Sequence, residues 1–195
     1  MDSNTRNQVL SAVRSQLPAT QIDYPEIPDF PKKITALLPA FEERIIDAGG
    51  SIYKPGSLKS AQFLLNQQFP EAKVICSASS DIQGNRDIHS VINPHELADV
   101  DVGVIRARFG VAENGMVWLT QEDLVVNALG FLSQHLVILL TPTELVADMY
   151  DAYLKVSLED TAYGCFMMGP SATADIGAVL VHGAQGARSL SVYLV

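Results

Sequence analysis

LVILLTPTELVADMYDAYLKV, residues 136–156, sets a short apolar run against a helix-forming pattern, and that junction decides the fold class. Leu136 to Leu140 is too short for a buried helix and reads as a strand hidden on both faces. Thr141 then stands where an N-cap belongs, Pro142 at the first helical position, and Glu144 where a capping box closes. Leu145, Met149, Ala152 and Val156 supply an inner stripe, so the pattern predicts a helix opening at Thr141.

The same alternation extends outward in both directions. Before it, Ile34, Leu37, Leu38, Phe41, Ile45 and Ile46 recur at helical spacing within 32–48, and Gly49-Gly50 ends that helix. Ser51 to Tyr53 reads as a short strand, Ser57 caps a helix running to Gln68, and Lys73 to Cys76 is a buried strand. Residues 77–95 are polar and turn-rich and predict a long loop. Val100 to Arg108, Met116 to Leu119, Tyr163 to Met168 and Ser189 to Val195 complete the strands. Helices alternating with buried strands predict an α/β fold, a mainly parallel sheet with helices on both faces.

Residues 5–17 place Val9, Leu10, Val13 and Leu17 on one helical face, and Pro18, Pro25, Pro28 and Pro31 follow. The expected organisation is an N-terminal helical arm with a proline-rich connector over 1–31, then a single domain over 32–195. Whether the arm packs on its own domain or on a second subunit stays open, and so does a homo-oligomer.

Lys and Arg number 13 against 22 Asp and Glu, a net charge of −9 without any basic run. That balance argues against nucleic acid, whose binding rests on neutralising phosphates. The two cysteines, Cys76 and Cys165, sit among apolar residues and are expected to be reduced. A cluster held by this chain alone would need about four thiolates, so an iron–sulfur centre is not expected here. No pair of ligands at metal-binding spacing accompanies His182, so no metal is expected either. No apolar h-region opens the chain and no run approaches the ~20 residues of a membrane span, which makes cytoplasm the default location.

Three segments carry candidate chemistry. Gly169-Pro170-Ser171-Ala172-Thr173-Ala174-Asp175-Ile176 follows a strand and reads as a strand-to-helix junction. Its amides, the Ser171 and Thr173 hydroxyls and Asp175 would surround an anion at a helix start. The alternative is plain helix capping by the same residues. His182-Gly183-Ala184-Gln185-Gly186 lies close by in sequence, so Gly183, Gln185 and Gly186 would line the same cleft. Glu113-Asn114-Gly115 lies between apolar runs; Asn-Gly is a turn signal, but it leaves Glu113 unexplained. A partly buried carboxylate there would serve as base or nucleophile, and a solvated Glu beside a turn is the alternative.

GPSATADIGAVLVHGAQGARSLSVYLV, residues 169–195, resembles the closing signature of the LutC/YkgG family, the lactate-utilisation (LUD) domain. That signature runs Gly-Pro-Ser-x-Thr-Ala-Asp-Ile, an apolar strand, Gly-Val-His-Gly-Pro and a final strand. DVGVIRARFGVAENGMVWL, residues 101–119, resembles the family segment in which Ala-Glu-Thr-Gly-Thr follows a strand. The resemblance implies a fold like that of the NagB/RpiA/CoA-transferase group and a role in oxidising lactate to pyruvate. It also implies iron–sulfur partner proteins that carry the clusters, with no cofactor in this chain. Two departures stand out. Ala184-Gln185-Gly186-Ala187 replaces Val-His-Gly-Pro, and Glu113-Asn114-Gly115-Met116 replaces Glu-Thr-Gly-Thr. The second variant resembles the Ser-Glu-Asn-Gly of CoA transferases, whose Glu attacks an acyl-CoA carbonyl, with Ala112 in place of the Ser. Three functions follow: a LutC-like protein binding a small anionic ligand or a partner, an acyl-transfer enzyme using Glu113, or an interaction module without catalysis.

Overall fold

A computed structural model describes residues 3–17, 25–26, 28, 34–157 and 161–195. The chain separates into two compact units, Met1–Pro31 and Lys32–Val195. Helix α1 (Ser3–Ser15) forms most of the described part of the first, with Val9 and Val13 exposed along one face. Most of the proline-rich connector, and the start of the helix expected at 32, lie outside the described residues.

The second unit runs α2 (Leu37–Asp47), β1 (Ser51–Tyr53), α3 (Leu58–Gln68), β2 (Ile75–Ser77), β3 (Arg86–Asp87), β4 (Val102–Arg106), β5 (Phe109–Val111) and β6 (Met116–Thr120). It continues with α4 (Gln121–Leu124), α5 (Leu129–Leu132), β7 (His135–Leu140), β8 (Leu145–Val146), α6 (Met149–Lys155) and β9 (Gly164–Met167). A hairpin of β10 (Ala172–Thr173) and β11 (Val181–His182) precedes the last strand, β12 (Ser189–Leu194). Ser57 caps α3 as expected, its hydroxyl accepting from the Ser60 amide.

Six parallel strands form the main sheet in the order β1-β12-β7-β4-β2-β3. Successive side chains on a strand face opposite ways, and here both faces are covered. Leu136, Ile138 and Leu140 of β7 pack into the cluster that holds Phe41 and Ile45 of α2. Val137 and Leu139, the intervening residues, pack with Ala61 and Leu65 of α3. The mainly parallel sheet with helices on both faces is therefore present.

A second sheet, in the order β8-β5-β6-β9, is a layer that periodicity does not reveal. Its β5–β6 and β6–β9 pairs are antiparallel. Val117 and Leu119 face the α2 side of the main sheet, while Phe109, Val111 and Trp118 face Ala152 of α6. The strand expected over Val100 to Arg108 breaks between the two sheets: β4 ends at Arg106 and the Arg108 amide donates to the Trp118 carbonyl.

The helix expected to open at Thr141 begins eight residues later, at Met149. Carbonyls of Glu144 and Val146 are taken by the amides of Gly110 and Ala112, so this stretch pairs with β5 as β8. Thr141 to Glu144 closes a turn, the Glu144 amide donating to the Thr141 carbonyl. Asp148 supplies the helix cap, accepting from the Asp151 amide at 2.9 Å. The long loop at 77–95 contains β3 and the short turn Ile88–Ser90. A second turn, Pro94–Asp99, follows it and is closed by an Asn93–Glu96 capping box.

Candidate functional site

Strand β9 ends at Met167, and the chain turns through Gly169 and Pro170, both buried. Gly169 has φ +61°, and a Cβ there would lie 2.5 Å from the Ala48 carbonyl oxygen. Only glycine fits so close an approach in that conformation. Ser171 is then laced in on both sides: its amide donates to the Ala187 carbonyl, and its carbonyl accepts from the Gly183 amide. Gly186 passes against the Ser171 side chain, where a Cβ would stand 3.1 Å away.

No helix follows. Ala172–Thr173 pairs antiparallel with Val181–His182 as a hairpin. This corrects the strand-to-helix expectation, and with it the anion site built on a helix dipole. Thr173 serves the hairpin, its hydroxyl accepting from the Asp175 amide at 3.3 Å, and Asp175 is exposed. Gly177 and Ala178 turn the tip with φ of +65° and +56°. The tip carries Ile176, Val179 and Leu180, each at least 60% exposed.

A hollow of about 450 Å³ elsewhere is edged by ion pairs of Arg108 and Lys155, whereas the predicted residues converge on one of about 320 Å³. The latter brings together Gly169, Ser171, Gln185 and Gly186 against Phe131, Cys165 and Met168. It lies past the carboxyl end of β9 and beside the amino ends of β7 and β12. Thr173, Asp175 and Gly183 do not line it. Gly183 instead makes a turn, at φ +79°, that bears on the Arg188 stem. Glu113 does not reach it either. That carboxylate is exposed, and its Oε2 accepts from the Met149 amide at 3.2 Å at the start of α6. Glu113 therefore stands apart from Ser171 and Gln185, which do meet.

Both cysteines are free thiols. Burial pushes the Cys165 thiol up from its ordinary range, and pushes Cys76 up to about 11. Neutral thiols follow, which suits packing rather than nucleophilic attack. Among the described residues no group of three or more His, Cys, Asp or Glu is placed to hold a metal ion. No helix among them is long and apolar enough to cross a membrane.

The carboxyl edge of the main sheet, where ligands of open α/β folds gather, is occupied by an ion pair. Arg106 Nε donates to Asp81 Oδ2 at 2.5 Å, and its Nη1 reaches Thr141 Oγ1 at 3.4 Å. Burial alone would raise the Asp81 carboxyl; hydrogen bonds from Arg106 and Ser79 overcome it and hold the group below the usual carboxylate range. Phe131, Met168 and the exposed hairpin tip carry no sequence signal of their own, since an apolar residue there looks no different from a core residue.

Fold and hollow together define an α/β protein with a parallel sheet, a second sheet packed on it, and a glycine-shaped loop crossing before the last strand. The chain belongs to the LUD domain family, whose model matches residues 43–195. That range contains the Gly169–Ile176 motif on which the resemblance rested. The crystal structure of a DUF162 family protein from Deinococcus radiodurans is similar in fold, with a TM-score of 0.60 at 16% identity. The match covers 82% of this chain and 96% of that one. No curated protein matches the chain in sequence.

Proposed function

We propose that this protein acts in the utilisation of lactate or a related organic acid as a partner-binding member of an oxidising system, with iron–sulfur clusters carried by other chains. The observation that carries the reading is membership of the LUD domain family over residues 43–195. Geometry favours a partner over a small anion at the 169–187 region. No helix start supplies a dipole, and the Ile176, Val179 and Leu180 side chains are presented to solvent at the tip of the hairpin whose Ala172 lines the hollow. Exposed apolar residues in a group mark interaction surfaces. Ser171 and Gln185 then supply polar contacts at the rim of that surface.

Gene deletion followed by growth on lactate as sole carbon source tests the reading. Deletion is expected to stop growth and the intact gene to restore it. The Ile176→Asp and Leu180→Asp variants are expected to fold normally and fail to restore it. Undiminished growth of the deletion strain overturns the role in lactate use. Full rescue by the hairpin variants overturns the partner surface.

A further inference from the structure

A third hollow, of about 360 Å³, opens at the amino edge of the main sheet. Four segments meet there: Gln68 to Ala72 at the end of α3 and just beyond it, Asp101 before β4, Gln134 and His135 at the start of β7, and Arg188 before β12. None of these belongs to the 169–187 hollow, and the function proposed above does not use them.

The polar groups in it are unevenly satisfied. Arg188 makes no ion pair among the described residues, although Arg44, Arg86, Arg106 and Arg108 each have a carboxylate. Its stem is seated: a Cβ on Gly183 would lie 2.4 Å from Arg188 Cγ, so the turn at Gly183 fixes where the side chain departs. Asp101 is held equally firmly. Its Oδ2 accepts from the Lys73 amide at 2.7 Å and the Val74 amide at 2.9 Å, leaving Oδ1 free. Those two amides, Val74 first, keep the carboxyl below its ordinary range. Glu71 adds a second carboxylate to the lining.

His135 completes the wall. Its Nδ1 is bound to Ser189 Oγ at 2.8 Å, and its ring packs on Phe69 with centroids 5.0 Å apart. Burial, then the charge of Arg188, lowers its pKa against the opposing pull of Asp101. The imidazole is therefore neutral at pH 7 and adds no charge. The hollow presents one guanidinium, two carboxylates and a neutral aromatic wall. A simple anion would meet more negative than positive charge here; a molecule carrying groups of both signs a few ångströms apart would meet its complement.

We propose that this hollow binds a small 2-amino carboxylate as its zwitterion. The carboxylate lies on the Arg188 guanidinium, which is suited to bidentate contact, and the ammonium lies on Asp101 Oδ1 with Glu71 nearby. Phe69 and Pro70 offer apolar surface to a short side chain.

L-Alanine, L-lactate and propionate share one carbon skeleton and differ only in an ammonium, a hydroxyl or a hydrogen at the second carbon. Each is titrated into the full chain at pH 7 while the His135 and Arg188 resonances are followed by NMR. L-Alanine is expected to saturate, with L-lactate and propionate at least about tenfold weaker. Arg188→Gln, at an exposed position, is expected to keep the wild-type fold by circular dichroism and to weaken alanine binding by about tenfold or more. Asp101→Asn, which keeps an acceptor for a backbone amide, should erase the preference for alanine over lactate. Equal binding of lactate and alanine overturns the proposal. So does alanine binding that survives Arg188→Gln, or no saturation of any probe by roughly 50 mM.

Discussion

Gly169 shows what a single residue contributes to this site and how much of that contribution is local. A Gly-Pro turn after a strand is legible from sequence, but the reason for the glycine is the carbonyl of Ala48, 2.5 Å from where a Cβ would stand. That neighbour is more than a hundred residues away in sequence, so no local pattern contains it. Gly169→Ala combines a left-handed backbone with a clash against backbone, and is expected to cost about 2–3 kcal/mol in urea unfolding. Wild-type stability in that variant would mean the loop does not rest on α2 as described. Asp81 is a second case, invisible in sequence because it lies in the turn after β2 and its partner Arg106 ends β4, 25 residues further on. Its pKa is lowered in the fold. The pair therefore stabilises fully above the unfolded-state pKa of about 3.9 and loses that contribution as pH falls through the lower folded value. Asp81→Asn is expected to be less stable than wild type at pH 7, with the gap closing toward pH 2–3. A gap unchanged with pH would remove the ion pair from the account.

At the level of the element, α6 separates what sequence can rank from what it cannot. Thr141-x-x-Glu144 and Asp148-x-x-Asp151 are both acceptable helix starts by residue type. The choice between them is made by β5, whose Gly110 and Ala112 amides claim the 144 and 146 carbonyls. Strand pairing is a tertiary event, so periodicity alone picks the wrong start, while the helix's inner residue Ala152 and the strand before it were read correctly. Asp148→Ala is expected to lower stability by about 1 kcal/mol by thermal unfolding, and Thr141→Ala by clearly less. The reverse ranking would restore the helix to its sequence-predicted start. Glu113 belongs to the same element, because its Oε2 accepts from the first amide of α6. Glu113→Gln keeps an acceptor oxygen for that contact. It is expected to leave both stability and growth on lactate close to wild type, whereas an acyl-transfer nucleophile would lose all activity with the same change.

Across the whole molecule the legible part is the parallel sheet, and the illegible part is the second sheet laid against it. Short apolar runs at Ile75, Val102, Leu136 and Leu190 declare strands buried on both faces, and the helices alternating with them imply a mainly parallel sheet, though not its strand order. β5, β6 and β9 are equally apolar, so nothing in their composition says which sheet they join. The Asn114-Gly115 turn between β5 and β6 is the one local sign of an antiparallel pair, and a turn signal does not name the sheet its strands join. The same limit hid the hairpin at 172–182, whose two-residue strands are too short for any period to show. Burial on both faces makes a definite energetic statement about β7. Ile138 and Leu139 are neighbours in the chain, fully buried, and packed into different clusters, one against α2 and one against α3. Ile138→Val is expected to cost about 1 kcal/mol and Leu139→Ala about 2–5 kcal/mol. Because a peptide plane separates the two side chains and they share no packing partner, the double variant should equal the sum within about 0.5 kcal/mol. A coupling of 1 kcal/mol or more, measured by urea unfolding of all four proteins, would mean that the faces relax as one body and that the sheet does not divide the core in two.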